Sequence, residues 1–302
     1  YGISDEKIAE FSLEAQEVMN HLAEHLPSLD NIVAEIADLA ESGGKYNEAP
    51  HVIEVTLPML CSYLPFWWQQ GPDSVTANDG NHVTTVTADL MNTVLGNVLK
   101  LIKNNIGTPN APWMNRIATR TQPIIGNSTT AMLKEHILPV AEKLREEAIR
   151  VGKEEDHFLH LKRTGQEEPE SEADLQNNYQ ILVRDLYAFI PLLIKYVDLH
   201  RSSWLKNPCL EAEHLFQNIA DIFNLWSKST IFKREEQNFI SANEIDNMAL
   251  IMPSSGVSSA TSSATKKSED SKTKLKIKKK NKDFNNSLNV ACLKRLLPIG
   301  LN

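Results

Sequence analysis

The chain has 302 residues, of which 41% are hydrophobic and 7% aromatic, so it carries enough apolar side chains for a folded core and does not resemble a disordered protein. Its formal net charge is −8, and its three cysteines, Cys61, Cys209 and Cys292, are far apart. This composition argues against a disulfide framework, a zinc site and general nucleic-acid binding. The longest nearly apolar run, residues 55–68, is too short to span a bilayer.

The charge is unevenly distributed along the chain. Residues 266–282 contain nine lysines and only two acidic residues, a net charge of +7, so the remaining residues together carry −15. A tract of this kind resembles a nuclear-localisation or polyanion-binding sequence. We interpret it instead as part of a soluble basic tether attached to an acidic folded body. The sequence begins at Tyr1 and stops at Asn302, and we expect it to be a fragment of a longer polypeptide.

Apolar residues recur at helical spacing along the body of the chain, residues 1–252, and no segment alternates like a strand. Thr87 is the predicted N-cap of one of these helices. The segment over residues 181–199 is apolar almost all round, so we predict that it forms the centre of the core. Three further apolar stripes are Ile8, Phe11, Ala15, Met19 and Leu22; Leu90, Met91, Val94, Leu95, Val98, Leu99 and Ile102; and Leu215, Phe216, Ile219, Ile222, Phe223 and Trp226.

A local pattern recurs in which two residues, mostly apolar, precede a proline and more apolar residues follow it. It centres on Pro58, Pro139, Pro191 and Pro298. A proline inside a helix removes a backbone hydrogen bond and bends the helix, which stacked helices tolerate because their neighbours cover the bend. The irregular separations exclude a strict repeat. The pattern favours an all-α, irregular armadillo- or HEAT-like α-solenoid, although coincidence among 14 prolines is the alternative.

Two segments interrupt the helical pattern. Residues 152–178 are acidic and end in a polar run, so we expect an exposed loop there. Residues 253–286 are rich in Ser, Thr and Lys and have almost no large apolar residues, so we expect a long disordered linker. Helical sequence resumes over residues 287–302, as the start of the next scaffold element.

Residue types that carry chemistry do not assemble into a recognisable site in the sequence. His157 and His160 have metal-ligand spacing but lack further ligands nearby. Asp198, His200 and the serines Ser202 and Ser203 are sequence neighbours, which helical geometry points apart, and no nucleophile elbow accompanies them. We therefore predict no enzyme activity, no metal and no cofactor.

Two helical segments are notable, one as a candidate interface with another domain and the other as a solvated face. Trp67 and Trp68 are adjacent, so their rings point about 100° apart on a helix. One ring can pack inward while the other anchors a second domain, which makes both tryptophans candidate interface residues. The charged run KREEQN, residues 233–238, is interpreted as a solvated face with weak ion pairs.

Several long segments carry a family resemblance. They are NYQILVRDLYAFIPLLIKYVDLHRSSWL and the sequence following it (178–248), EVTLPMLCSYLPFWWQQGP (54–72), LGNVLKLIKNN (95–105) and ACLKRLLPIGLN (291–302). The chain resembles the ryanodine receptors, tetrameric intracellular calcium-release channels. The matched part lies in their large cytoplasmic helical scaffold and not in the pore.

The resemblance implies a structural and allosteric module on the cytoplasmic face of the endoplasmic or sarcoplasmic reticulum membrane. Its implied partners are other domains and subunits of a homotetramer, with membrane contact only through the rest of the channel. In this family calmodulin binds just beyond the region resembling 291–302. The residues that would flank that site are Leu288, Cys292, Lys294, Arg295 and Leu296.

Two other functions remain open from the sequence. A free-standing α-solenoid adaptor that binds peptide or protein partners in a concave groove is the runner-up, and an enzyme is a distant third. Downstream transmembrane helices in the full-length sequence would indicate a channel, because an adaptor has none.

Overall fold

The computed structural model describes residues 17, 29–43, 49–69, 86–165, 169–245 and 296, with the side chains of 66–69 and 169–171 left outside that description. The described residues form no strand, which agrees with the predicted all-α class. They contain eight α-helices: α1 (Leu29–Glu41), α2 (Leu57–Gln69), α3 (Ala88–Asn105), α4 (Trp113–Thr121), α5 (Leu138–Thr164), α6 (Pro169–Lys206), α7 (Leu210–Lys228) and α8 (Thr230–Ala242).

Several helix boundaries follow from side-chain and backbone chemistry. The Thr87 hydroxyl accepts a hydrogen bond from the Leu90 amide at 3.1 Å, so the predicted N-cap of α3 is confirmed. Ser229 caps α8 in the same way, accepting from the Phe232 amide at 3.0 Å. Helix α5 ends at Gly165, whose φ of 70° is the left-handed conformation that glycine adopts without steric penalty.

Two of the recurring prolines sit directly after a π turn. The turns are Val52–Thr56 and Leu133–Ile137, and Pro58 and Pro139 are the second residues of the helices that follow. In each turn the amide just before the proline bonds the carbonyl five residues back, from Leu57 to Val52 and from Leu138 to Leu133. In a regular α-helix the proline ring would clash with a carbonyl of the preceding turn. The wider π turn displaces the backbone at that point. Pro191 lies inside α6, and Pro298 is outside the described residues.

Helix α6 forms the centre of the core, as its sequence predicts. Every residue from 181 to 194 is buried, and Leu193 is fully so. This helix packs against α4, α5, α8, the 3-10 turn Gln122–Asn127 and, less extensively, α3. A helix covered on so many sides needs apolar residues around most of its circumference.

The helices pack in a regular order along the chain. Each helix contacts the one two positions further on, giving the pairs α1–α3, α2–α4, α3–α5, α4–α6, α5–α7 and α6–α8. Sequence neighbours also pack in the cases of α3–α4 and α5–α6.

The predicted acidic loop over residues 152–178 is wrong. Helix α5 continues to Thr164, and α6 begins at Pro169. Asp156, Glu172 and Asp174 are exposed on these helices, whereas Glu155 on α5 is buried together with Val151, Phe158 and Leu175. Amphipathic helices of this kind are highly charged overall because only one face of each is apolar.

The predicted linker over residues 253–286 lies outside the described residues. Of the following segment, 287–302, only Leu296 is described; it is helical and buried.

Candidate functional site

Helix α6 is joined to its neighbours by a set of polar side chains, all buried except Gln180, that we call the α6 polar network. Its members on α6 are Tyr179, Gln180, Arg184, Asp185, Tyr187, Tyr196 and His200. Their partners come from α5, α8 and two interhelical loops, and Trp226 of α7 joins the network through Glu236. Fully satisfied polar groups in a core hold the packed elements in one arrangement.

Two buried glutamates on α8 form one end of this network. Glu235 and Glu236 are each only 2% exposed. The Glu236 carboxylate accepts from the Tyr187 hydroxyl at 3.0 Å and from the Trp226 indole N–H at 3.1 Å, so it links α6, α7 and α8. The interpretation of KREEQN as a solvated face is therefore wrong for these two residues, although Lys233, Arg234, Gln237 and Asn238 are exposed.

The Glu235 carboxylate is held by three donors. Gln180 on α6 donates to it at 3.1 Å, Asn238 at 3.2 Å and the Arg234 guanidinium at 3.0 Å. Burial acts to raise the pKa of Glu235, but these hydrogen bonds outweigh burial and leave the pKa below its ordinary value. The group is therefore a carboxylate at neutral pH, stabilised from two helices.

A second tyrosine–glutamate pair connects α6 to α5. The Tyr179 hydroxyl donates to the Glu155 carboxylate, and the Tyr179 side chain is fully buried. Burial is the main cause of a raised Tyr179 pKa, and the hydrogen bond to Glu155 adds to it. The Tyr179 ring also meets Phe232 of α8 edge-on at 5.9 Å between centroids. Tyr179 thus contacts both α5 and α8.

An arginine–aspartate pair on α6 holds the loop between α3 and α4. Asp185 accepts from the Gly107 amide at 2.8 Å and from Arg184 at 2.6 and 3.0 Å, while Arg184 also donates to the Pro109 carbonyl at 3.1 Å. Both side chains are buried. Burial raises the pKa of Asp185 to about 6, against the opposing effects of Arg184 and the Gly107 N–H. The pair is a buried clamp rather than a surface salt bridge.

The C-terminal part of α6 contacts the loop that precedes α5. The Tyr196 hydroxyl donates to the Thr129 carbonyl at 3.0 Å, and His200 Nε2 lies 3.4 Å from the Ser128 hydroxyl. Burial lowers the pKa of His200, so its ring is neutral at physiological pH. The His200 ring stacks on the Trp204 ring. The Trp204 ring in turn packs edge-on against Phe216 of α7.

The residues considered for catalysis are not brought together. Asp198 lies 3.7 Å from Arg201, His200 faces Ser128, and Ser202 and Ser203 are exposed. His157 and His160 are both exposed on α5. Within the part of the chain that the structure describes, no three His, Cys, Asp or Glu side chains are grouped to hold a metal ion.

The candidate interface residues Trp67 and Trp68 lie in the last turn of α2, as the sequence predicts, but their side chains are outside the described residues. Of the residues expected to flank a calmodulin site, Leu296 is 6% exposed and packs in the core, whereas Leu288, Cys292, Lys294 and Arg295 are outside the description.

A cleft of about 710 Å³ opens between α5 and α6. Ile149, Phe158, Leu161 and Leu175 supply its apolar lining. Charged side chains of both signs surround them, including Arg150, Lys153, Glu154 and Asp174. A cleft lined by both apolar and charged side chains suits an amphipathic peptide better than a small polar metabolite.

Sequence reasoning located the α6 core but missed the polar network inside it. A usable signal existed in α8, where Phe232, Glu235, Glu236, Phe239 and Ile240 recur at three- and four-residue spacing. That spacing places both glutamates on the apolar face.

None of the helices that the structure describes is long and apolar enough to cross a membrane. The chain matches no protein-family model.

Proposed function

We propose that this chain is a structural and allosteric module of the cytoplasmic scaffold of a ryanodine-sensitive calcium-release channel. The observation that carries the proposal is the resemblance to the ryanodine receptors along residues 54–72, 95–105, 178–248 and 291–302. The module holds the geometry of the scaffold and transmits conformational signals to a pore outside it. Its partners are other domains and subunits of a homotetramer at the reticulum membrane, with calmodulin near the C-terminal end.

The packing order supports an α-solenoid for this module. Contacts between helices two positions apart run without a break from α1 to α8. That order is the one expected when odd-numbered helices form one row and even-numbered helices form a second row beside it. Stacked rows of this kind transmit motion, because a small shift at each helix pair adds to the next along the stack.

The α6 polar network supports a role in transmission. Glu236 links α6, α7 and α8, Glu155 links α5 to α6, and Asp185 ties α6 to the α3–α4 loop. A displacement of any of these elements changes hydrogen bonds to α6, which spans 38 residues. Coupling of this kind needs packed elements with discrete alternative arrangements, and the network supplies directional contacts between them.

The test is a Trp226→Ala substitution in the full-length channel, read by single-channel recording. Trp226 is 1% exposed and donates to Glu236, so its loss weakens the junction of three helices. We expect a shifted ligand sensitivity at constant unitary conductance, because the pore lies elsewhere and only the closed–open balance responds to strain in the module. Leu210→Ala, at a 65% exposed position on the same helix, is the control.

A changed conductance with an unchanged open probability would contradict the scaffold role. Equal effects of Trp226→Ala and Leu210→Ala would also contradict it, since only the first disturbs the buried junction.

One observation favours the second candidate, a solenoid adaptor for peptides. The cleft between α5 and α6 presents the partly exposed side chains of Ile149 and Leu161 beside exposed charged residues. An adaptor would bind an amphipathic peptide there independently of any channel. Titration of the isolated chain with amphipathic helical peptides, followed by Leu161→Asp in the cleft, distinguishes the two functions: saturable binding lost in the variant supports the adaptor.

A further inference from the structure

The C-terminal half of α6 carries a line of exposed side chains that we call the α6 basic stripe. Its members are Lys195, Leu199, Ser202 and Lys206. At about 100° per residue, their spacing places all four within about 60° of one another around the helix axis. Leu199 is 46% exposed and lies between the two lysines. The stripe therefore presents two cations with an apolar side chain between them.

The stripe continues a face of α6 that is covered earlier in the helix. Ala188 and Leu192 precede Lys195 in the same register, and both are fully buried. The covering contacts on this face therefore end between Leu192 and Lys195. From Lys195 to Lys206 the uncovered face extends about 17 Å, at about 1.5 Å per residue, which is long enough for about three turns of a second helix packed along it.

The two lysines of the stripe lack an acidic partner. Neither Lys195 nor Lys206 forms an ion pair within the described residues, and the acidic residue beside them, Asp198, lies 3.7 Å from Arg201. Partial burial lowers the pKa of Lys195, and no carboxylate of the described residues opposes that effect. An ammonium group that has lost part of its water and has no counter-ion gains free energy when a carboxylate approaches it.

We propose that the α6 basic stripe binds an acidic amphipathic helix, whose carboxylates pair with Lys195 and Lys206 and whose apolar side chains pack on Leu199. The charge of the partner follows from the two lysines, and its helical form follows from the straight, uncovered face between them. The stripe is separate from the cleft between α5 and α6, which reaches no further along α6 than Asn178. The contact does not depend on the channel function.

Peptide binding to the whole chain tests the stripe. The probe is a synthetic helical peptide with two glutamates on one face, at the spacing that separates Lys195 from Lys206, and leucine between them. A peptide of the same composition, with the glutamates and the leucine on different faces, is compared with it. Lys195→Glu combined with Lys206→Glu reverses the charge of the stripe. Lys153→Glu combined with Lys228→Glu makes the same charge change at exposed positions outside it.

We expect saturable binding of the acidic amphipathic peptide, measured by fluorescence anisotropy. Its dissociation constant should rise at least about tenfold in the stripe variant, because both attractive pairs become repulsive, and less than about twofold in the control variant. Replacing the two glutamates of the peptide by lysine should restore affinity for the stripe variant, since the charges are then exchanged between the partners. This restoration also requires the variant to be folded.

Three results would overturn the proposal: no saturable binding of the acidic peptide, equal affinity for the two peptides, or equal weakening in the stripe and control variants. A membrane surface is the competing partner for exposed lysines beside a leucine. Binding of the chain to phosphatidylcholine vesicles that contain phosphatidylserine, lost in the stripe variant while neither peptide binds, would assign the stripe to anionic lipid instead.

Discussion

The Tyr187 hydroxyl donates a hydrogen bond to the Glu236 carboxylate across 3.0 Å, and both side chains are buried. The second oxygen of the same carboxylate accepts from Trp226. One acidic side chain therefore satisfies buried donors from two other helices. A buried carboxylate with such partners stabilises the fold mainly because its removal leaves those donors without an acceptor.

Replacing Glu236 with alanine is expected to destabilise the chain strongly. Two buried donors, the Tyr187 hydroxyl and the Trp226 N–H, lose their acceptor. At about 1–3 kcal/mol for each buried group left unsatisfied, the loss is roughly 2–6 kcal/mol of unfolding free energy. Urea denaturation monitored by circular dichroism measures it. Glu142→Ala, at an exposed position on α5, is the control, with a change under about 0.5 kcal/mol. Similar losses for both variants would contradict the role of the junction.

The core of the fold could be predicted from the sequence because burial of apolar residues leaves a simple pattern. Residues 181–194 are apolar on nearly every side and are all buried in the structure. Arg184 and Asp185 are buried with them, and nothing in their types indicates burial. Their partners are backbone groups of the distant Gly107 and Pro109, which only the folded chain brings near.

The predicted loop over residues 152–178 is wrong for one physical reason. Composition averages over both faces of a helix, so an amphipathic helix with many outward acids looks like a solvated loop. Gly152 illustrates the point: it lies inside α5 and is buried, close to the Leu225 side chain of α7, where a larger residue would crowd the contact. Positions along each face of the helix carry the information that the composition of residues 152–178 hides.

Leu193→Ala tests the assignment of the α6 core. Leu193 is fully buried, whereas Leu199 on the same helix is 46% exposed. Truncating a buried leucine removes apolar contacts and leaves a cavity, so we expect a loss of about 2–5 kcal/mol in unfolding free energy. Leu199→Ala should lose much less. The denaturation midpoints of the two variants provide the comparison. A loss under about 1 kcal/mol for Leu193→Ala would mean that the core is elsewhere.

Two glycines with positive φ provide a matched pair for testing the α3–α4 loop. Gly107 has a φ of 81° and Gly165 a φ of 70°. Alanine at either position is strained by about 1–2 kcal/mol. At Gly107 the new Cβ would also lie 3.1 Å from the Glu147 carboxylate, whereas at Gly165 it meets no atom within 4 Å. Gly107→Ala is therefore expected to be the more destabilising substitution in thermal unfolding. The reverse order would show that the loop adapts freely.

The Asp185 clamp predicts a specific pH dependence of stability. Burial raises the pKa of Asp185 from its ordinary value of 3.8 to about 6 in the folded chain. A raised pKa means that the folded state binds this proton more tightly than the unfolded state does. The contribution of protonated Asp185 to the free energy of unfolding is therefore fully present below pH 3.8. It is lost as the pH rises through about 6.

Asp185→Asn removes this titration while keeping a neutral side chain of the same size. We expect the wild-type chain to lose more unfolding free energy than the variant between about pH 4 and about pH 7, measured by urea denaturation at several pH values. The titratable neighbours Arg184 and Glu147 are present in both chains, so their own contributions largely cancel in the difference. Parallel pH profiles for the two chains would show that Asp185 titrates alike in the folded and unfolded states, and that its burial beside Arg184 and Gly107 leaves its proton affinity unchanged.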